Sequence, residues 1–239
     1  MKIIGAGLPR TATLAQRVFF ESAGVGQCYH MTRVWEDLGQ VQYWVDAFEG
    51  RPDWTALLGK FEASVDWPGA FYWRELMTTY PDAKVILSIR DGESWAASIQ
   101  STIWSALFGD TLMRDLSRAR AKVVPEWAQF RELTKAMWRK SGLLESSEEN
   151  FDRRAVAKAM EAYNDEVRQT VPSERLLVWS PQDGWERICE FLEIPSHVPS
   201  IPLVNTEAMF VQRACKAALD SLNQWYETDR ETPPAEPVV

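Results

Sequence analysis

The chain has 239 residues, which is enough for one α/β domain with a sizeable core or for two small domains. A net charge of −8 without a long basic block argues against general nucleic-acid binding, and only two histidines exclude a multi-histidine metal site. Three cysteines without CxxC spacing indicate a reducing compartment, and no apolar run reaches the roughly 18 residues of a membrane span. We therefore expect a cytoplasmic protein whose first residues are a strand and not a signal peptide.

The first predicted elements are a buried strand at residues 2–4, a small-residue turn at 5–13 and a helix over 14–23. A strand, tight loop and helix in this order bind phosphate, because loop N–H groups and the helix dipole point at one spot. The pattern GxxxxGK followed by Ser or Thr is absent, and Arg10 stands at the third glycine position of a dinucleotide fingerprint. What remains is a cationic phosphate loop at residues 9–13.

The next segments alternate helices with short apolar runs. The run at 84–90 is the clearest strand, and its continuous apolar character is typical of a central parallel strand buried on both faces. Alternating strands and helices predict a doubly wound parallel sheet flanked by helices. The other predicted elements are strands over 27–31 and 63–66 and helices over 32–48, 54–61, 70–80 and 95–108.

The second half of the chain is mainly helical. A charged segment at 112–142 is predicted to be helical, with Pro125 starting its second piece, and Ser146 starts a helix to about 170. The last predicted elements are a strand at 176–179, a helix over 183–192, an irregular crossing at Pro195, Pro199 and Pro202, and a helix capped by Asn205 that ends near 225. We predict one domain at 1–226, with 109–172 as a helical insertion or lid and a disordered tail at 227–239.

Two motifs carry a family resemblance. Residues 5–14, Gly-Ala-Gly-Leu-Pro-Arg-Thr-Ala-Thr-Leu, resemble the 5′-phosphosulfate loop of sulfotransferases that use 3′-phosphoadenosine 5′-phosphosulfate (PAPS), in the bacterial and lower-eukaryote branch with a Gly-x-x-Arg-Thr-Gly-Thr loop. Residues 85–103 resemble that family's 3′-phosphate motif, and Arg90 and Ser98 have its spacing of eight positions. Shorter stretches at 65–68, 183–186 and 202–205 are also similar to this branch, so the resemblance spans almost the whole chain.

The resemblance implies a P-loop-like fold and a metal-independent sulfuryl transfer from PAPS to a small-molecule acceptor, which leaves adenosine 3′,5′-bisphosphate as product. It implies that Arg10 stabilises charge on the bridging oxygen as sulfate leaves, which agrees with the electrostatic character of such transfers. It also implies that loop residues bind the 5′-phosphate and that a strand-end arginine and a helix serine bind the 3′-phosphate. The implied donor-binding residues are Pro9, Arg10, Thr11, Ala12, Thr13, Leu14, Arg90 and Ser98.

Five positions depart from the family pattern and bear on donor affinity. Ala12 stands where this branch usually has glycine, which places a methyl group at the tightest part of the loop. Ala15 replaces a usual serine, Gly92 replaces a usual proline, and Trp179 with Ser180 stands where Tyr-Glu is common.

The general base has two candidates. Asp66 follows a predicted strand and could accept a proton from an acceptor hydroxyl or amine, although a helix N-cap is an equally simple role. His30 also follows a strand and has a suitable unperturbed pKa, although a single histidine is more often structural. We favour Asp66, and the two could act together.

The aromatic residues near these motifs have both site and core interpretations. Trp179 is a candidate for stacking on adenine, while Tyr29, Trp67 and Trp104 are candidates for the acceptor pocket, with His30 beside them. Each of these side chains could equally pack in the core. Arg90 could instead form an ion pair with Asp91, and Glu145, Glu148 and Glu149 read as a solvated face.

Two other function classes stay open from the sequence. A P-loop kinase-like phosphotransferase would need Mg²⁺ ligands and a loop lysine, and the loop lysine is missing. A non-catalytic nucleotide-binding or interaction module on the same fold is the other alternative. The sequence predicts neither the acceptor nor the oligomeric state.

Overall fold

A single sheet of parallel strands organises the part of the chain that the structure describes, which comprises residues 1–144, 149–195 and 206–230 of a computed structural model. The strand order is β2-β3-β1-β4-β5, and every neighbouring pair is parallel. The strands are β1 (Ile3–Gly5), β2 (Cys28–Tyr29), β3 (Ala63–Ser64), β4 (Lys84–Ser88) and β5 (Leu176–Trp179). The predicted α/β fold with a doubly wound parallel sheet is confirmed.

Helices cover both faces of this sheet. They are α1 (Thr13–Ser22), α2 (Met31–Glu36), α3 (Val41–Phe48), α4 (Trp54–Leu58), α5 (Trp73–Thr79), α6 (Gly92–Ile99), α7 (Ser105–Leu107), α8 (Leu112–Val123), α9 (Pro125–Lys140), α10 (Arg153–Thr170), α11 (Glu186–Leu192) and α12 (Glu207–Arg230). Short 3₁₀ turns occupy Leu38–Gln40, Gly69–Tyr72, Ser173–Arg175 and Pro181–Asp183, and a π turn occupies Gln100–Trp104. Of the helices described, none is long and apolar enough to cross a membrane.

The strand order places the functional loops together. The chain leaves β1 for β2 and β3 on one side of the sheet and continues to β4 and β5 on the other. In open α/β sheets a ligand binds outside the carboxyl ends of the strands where the order reverses. That point lies between β1 and β4 here, so the loops after these two strands are neighbours.

Two apolar layers hold the sheet. The smaller layer packs Phe19 and Phe20 of α1 and Ile188 of α11 against one face. The larger layer lies on the other face and includes Trp44, Trp73 and many residues of α5, α6, α9 and α10. Because both faces of β4 are buried, its continuous apolar sequence is explained.

Two predicted helices have different ends. The single helix over 32–48 is wrong, because Asp37 has an extended backbone and its carboxylate accepts the Gly39 N–H at 3.0 Å, which separates α2 from a 3₁₀ turn and α3. The helix over 95–108 begins earlier, at Gly92, because the Asp91 carboxylate accepts the Ser94 N–H at 2.8 Å.

The predicted helix that runs to about 170 is shorter within the described residues: residues 149–152 are not helical, and α10 begins at Arg153, where the Asp152 carboxylate accepts two backbone N–H groups. The final helix extends to Arg230, so the predicted disordered tail at 227–239 begins too early. Several predictions concern segments outside the described residues, namely Glu145, Ser146, Glu148, Pro199, Pro202, Asn205 and residues 231–239.

The helical segment at 109–172 packs widely on the rest of the domain. Helix α9 contacts α3, α10 contacts α6, and α8 contacts both α9 and the final helix α12. Trp138 of α9 reaches Trp67 after β3, with ring centroids 4.3 Å apart. These helices therefore form one wall of the carboxyl edge of the sheet. A lid movement of this segment stays a prediction.

Gly7 is the position where the loop after β1 comes closest to β4. A Cβ atom there would lie 1.9 Å from Ser88 Oγ and 2.9 Å from Ser88 N. We expect Gly7→Ala to lower the free energy of unfolding by about 1–3 kcal/mol in urea denaturation, as overpacking does. Adding Ser88→Ala should recover only part of the loss, because the backbone contact persists. Unchanged stability of the single variant would contradict this packing.

Candidate active site at the carboxyl edge of the sheet

The loop after β1 has an unusual backbone. Arg10 and Ala12 both have positive φ values, 72° and 66°, in the left-handed region that favours glycine. Ala12 is the N-cap of α1, and no side chain caps the helix there. The first N–H groups of α1 therefore face the carboxyl edge without a side-chain acceptor among the described residues. This arrangement is suited to an anion.

Thr11 fixes the loop to the sheet. Its hydroxyl donates to Leu8 O at 2.7 Å and lies 2.7 Å from Ser88 Oγ, so the serine hydroxyl donates in return. Thr11 is buried, with both hydrogen bonds directed into the protein. A direct bond from the Thr11 hydroxyl to a phosphate is thus not supported. Pro9 O is anchored in the same way by the Trp95 indole N–H, at 2.7 Å.

The Arg10 guanidinium lies above this loop and is half-buried. Its Nε–H donates to Ser98 Oγ at 3.1 Å, while buried Nη1 has no hydrogen-bond partner among the described residues. Burial lowers the pKa of Arg10, and the nearby charge of Asp66 partly opposes that shift. Since an arginine keeps its charge in proteins, the structure holds a cation here that an incoming anion can satisfy.

Two cavities meet at this arginine. The polar cleft is lined by the start of α1, Arg90, Ser94, Ser98 and Glu207. The apolar cavity is lined by Asp66 and His30 together with the aromatic residues Trp35, Trp67, Trp127, Phe130, Trp138 and Phe210. Arg10 and Thr13 line both of them. A group bound in one can therefore reach a group bound in the other at these two side chains.

Asp66 and His30 form a buried pair just after the carboxyl ends of β3 and β2. His30 Nε2 lies 3.1 Å from Asp66 Oδ2 and 3.3 Å from Thr13 Oγ1. Asp66 has a positive φ of 67°, another position of backbone strain, and its Oδ1 has no hydrogen-bond partner among the described residues. One carboxylate oxygen is thus occupied by histidine, and the other is buried with unused capacity to accept a hydrogen bond.

The hydrogen bonds fix the tautomer of His30. The Thr32 backbone N–H donates to His30 Nδ1 at 3.1 Å, so that nitrogen carries no proton. The neutral ring is then protonated at Nε2 and donates to Asp66 Oδ2. Arg17 donates to the Thr32 hydroxyl, which supports the histidine from behind. In this geometry His30 orients and stabilises the carboxylate, and neither ring nitrogen is free to accept a proton from a ligand.

The pKa shifts agree with these roles. Burial, followed by the charges of Arg17, Arg213 and Arg33, lowers the pKa of His30 well below its ordinary value. Burial raises the pKa of Asp66 to about 7, against the opposing effects of hydrogen bonds and of Arg10. A carboxyl group with such a pKa can accept a proton and release it near neutral pH.

Three aromatic predictions need correction. Tyr29 is fully buried, and its hydroxyl accepts from Trp44 Nε1 and donates to Gln40 Oε1. Trp179 is fully buried against Trp185 and donates to Gly184 O at 2.8 Å, so it lies in the core and not in the polar cleft.

Trp104 packs against Phe151 and does not line the apolar cavity. Ile103 and Leu107, from the same helical stretch, face the cavity instead. Trp67 and His30 do line the apolar cavity, and their contact with an acceptor stays a prediction. Arg90 is exposed and lines the polar cleft, while Ser98 is turned towards Arg10.

Several site residues were missed in the sequence. Ser88 ends the clearest strand, and Gly7 opposite it was the available signal for a close approach. Arg131 and Arg213 line the apolar cavity, but both lie in helices whose many charges gave no reason to single them out. For the described residues, no group of three or more His, Cys, Asp or Glu side chains is placed to hold a metal ion.

Comparison with known proteins agrees with this geometry. A family model described as a sulfotransferase domain matches residues 2–210. The chain is 30% identical, over 224 residues, to a protein of Aspergillus versicolor named "Ava biosynthesis cluster protein M", and the match covers 86% of this chain and 81% of the relative. The chain belongs to the sulfotransferase-domain family, a class of enzymes that transfer sulfate. The predicted resemblance is confirmed.

Proposed function

We propose that the protein transfers a sulfuryl group from PAPS to a hydroxyl or amine of a small, largely apolar acceptor. The observation that carries this proposal is the position of Arg10 and Thr13, which line both the polar cleft and the apolar cavity. A two-substrate transfer needs one point where the donor and acceptor sites meet under a cation. No comparable junction is needed for a protein that only binds a nucleotide.

The polar cleft has the chemistry that the donor requires. The uncapped start of α1 offers backbone N–H groups to the 5′-phosphate at residues 12–14, and Arg10 adds a positive charge beside them. Arg90 and Ser98 line the same cleft and are assigned to the 3′-phosphate. When bound, PAPS supplies a sulfuryl group on a phosphate leaving group. The binding needs no metal in this proposal, because arginine and N–H groups balance the charge.

Asp66 is assigned as the general base. Its Oδ1 has no hydrogen-bond partner within the described part of the chain, the residue lines the apolar cavity, and burial raises the pKa of its carboxyl to about 7. His30 is a positioning residue, because its Nδ1 accepts from the Thr32 N–H and its Nε2–H donates to Asp66. The choice between the two bases that the sequence left open therefore falls on the carboxylate.

The proposed transfer forms one bond to sulfur and breaks another. The acceptor oxygen or nitrogen forms a bond to sulfur while its proton passes to Asp66 Oδ1. The bond between sulfur and the bridging oxygen breaks, and its electron pair stays on the 5′-phosphate of adenosine 3′,5′-bisphosphate. Arg10 stabilises that developing negative charge, which is the largest electrostatic demand of such a transfer. The Asp66 proton then leaves to solvent.

The location that we propose is the cytoplasm. All three cysteines are free, and Cys28 and Cys189 are buried. Free thiols of this kind suit a reducing compartment.

Arg10→Ala tests the charge at the junction. We expect kcat for sulfation of a phenol to fall by about 10²–10³-fold, because a donor to the leaving oxygen is lost, while the far-ultraviolet circular dichroism stays unchanged. The kcat of Arg10→Lys should lie between those of the wild type and Arg10→Ala, because the charge remains but the hydrogen bond to Ser98 is lost. Undiminished turnover in Arg10→Ala would remove Arg10 from the mechanism.

Asp66→Asn tests the base. The wild-type kcat/KM should rise with pH and level off above about 7, because the carboxylate form of Asp66 is active. In Asp66→Asn, kcat/KM should fall by about 10²–10⁴-fold and should no longer rise with pH in this range. His30→Asn should keep more activity, but its rise should move to higher pH, because a hydrogen bond that stabilises the carboxylate is removed. An unshifted profile in His30→Asn with a full loss of activity would assign the base to His30 instead.

A further inference from the structure

Arg131 is a buried charge in the wall of the apolar cavity. It lies on α9, is 5% exposed and lines the cavity that also contains Asp66. Its Nη1 donates to Ser117 Oγ at 2.7 Å and to Ala106 O at 3.2 Å, which are both neutral acceptors. The arginine is thus held in place by α7 and α8, on the helical wall that faces the ends of the strands.

Within the described residues, Arg131 has no carboxylate partner. The adjacent Glu132 is exposed and pairs with Lys135 at 2.8 Å, while Arg114 and Arg118 add further positive charge nearby. Burial lowers the pKa of Arg131, but arginine stays charged. An unpaired buried cation is destabilising, and such a charge is normally balanced by a partner.

Two more arginines add to the positive potential around this cavity. Arg213 of α12 lines the cavity and forms no ion pair with the residues that the structure describes. Arg120 of α8 is 6% exposed and lies over the Trp127 ring, 4.1 Å from its centroid. The negative side chain in the cavity wall is Asp66, which belongs to the transfer site. The helical wall is therefore cationic although the whole chain carries a net charge of −8.

Much of the cavity wall is aromatic. Trp35, Trp67, Trp127, Phe130 and Trp138 line it. Rings of this kind bind a flat apolar body, and Asp66, whose Oδ1 has no partner among the described residues, is the assigned acceptor for the proton of a hydroxyl or amine. The charge of Arg131 in the same cavity wall remains to be matched by the ligand.

We propose that the acceptor is an aromatic acid, with a hydroxyl or amine that faces Asp66 and a carboxylate that binds Arg131, with Arg213 as a second cation. The inference rests on the proposed function and names its acceptor class. The carboxylate takes charge-assisted hydrogen bonds from Arg131, and arginine matches a carboxylate in a bidentate geometry. Recognition of this kind also orients the acceptor, so that its nucleophile is directed at the junction of the two cavities.

A matched pair of acceptors tests the charge. 3-(4-Hydroxyphenyl)propanoate and 3-(4-hydroxyphenyl)propanamide have the same size and differ in charge. Their calorimetric binding is measured with saturating adenosine 3′,5′-bisphosphate, and their sulfation is measured with PAPS. We expect the acid to bind about 10–100-fold more tightly than the amide, as for hydrogen bonds between charged groups. Equal binding of the two probes, or binding of neither, would overturn the proposal.

Substitutions of single arginines show which residue causes the preference for the acid. In Arg131→Gln the ratio of acid to amide binding should fall to about one. Arg118→Gln is the matched control, because it removes the same charge from exposed α8 surface outside the cavity, and it should keep the wild-type ratio. If Arg131→Gln lacks a cooperative thermal transition, the binding of the two probes is measured with Arg131→Lys instead. The ratio of acid to amide binding should be reduced in this variant, since lysine cannot bind a carboxylate bidentately. A wild-type ratio of acid to amide binding in the folded Arg131 variant would overturn the proposal.

The two measurements separate this inference from the proposed function. Acid-selective binding without transfer from PAPS would contradict the sulfotransferase assignment and leave the acid site intact. Transfer that proceeds equally well with acid and amide would support the reaction and reject the aromatic acid.

Discussion

The guanidinium of Arg10, whose Nη1 has no hydrogen-bond partner among the described residues, is the group on which the architecture of the site depends. Its backbone has φ 72°, and the neighbouring Ala12 has φ 66°, so the loop holds two non-glycine residues in a strained region. The hydrogen bonds of Thr11 to Leu8 O and Ser88 hold this loop on the sheet. These hydrogen bonds hold the loop in its strained conformation, and the loop in turn places the cation of Arg10 between the two cavities.

A second constraint is the distribution of charge. The chain is acidic overall, yet the carboxyl edge of the sheet carries Arg10, Arg90, Arg131 and Arg213 around two cavities. Asp66 is the carboxylate that this edge buries, and its environment keeps it close to the point of proton exchange at neutral pH. A proton acceptor near neutral pH and nearby cations suit a transfer in which the attacking hydroxyl or amine loses a proton and negative charge develops on a leaving phosphate.

The sequence predicted the sheet and the loop well. The strand at 84–90 had a continuous apolar run, because burial of β4 on both faces leaves a clear pattern, and the strand at 176–179 was placed at its observed bounds. Arg10, Ala12, Thr13, Arg90 and Ser98 could be singled out as candidates because they belong to two motifs that follow strands, with a spacing of eight positions between Arg90 and Ser98. The helix break at Asp37 was missed, since an apolar stripe crosses it and only the side-chain cap at Gly39 reveals the turn.

The aromatic residues show why the rest was harder to predict. Tyr29, Trp67, Trp104 and Trp179 look alike in a sequence, but one lines the apolar cavity and the other three pack elsewhere. Which ring faces a cavity depends on tertiary packing and not on residue type. The direction of the His30–Asp66 hydrogen bond was equally invisible, because it is fixed by the Thr32 N–H, a backbone group that becomes a donor only through the turn into α2.

The central claim is that the polar cleft is a donor site for a nucleotide with a 3′-phosphate. Calorimetric titration of the purified protein with adenosine 3′,5′-bisphosphate and with AMP, each with and without Mg²⁺, tests it most directly. The account predicts tight, metal-independent binding that requires the 3′-phosphate and weakens in Arg90→Ala. Equal affinity for AMP, or an unaltered affinity in Arg90→Ala, would contradict it.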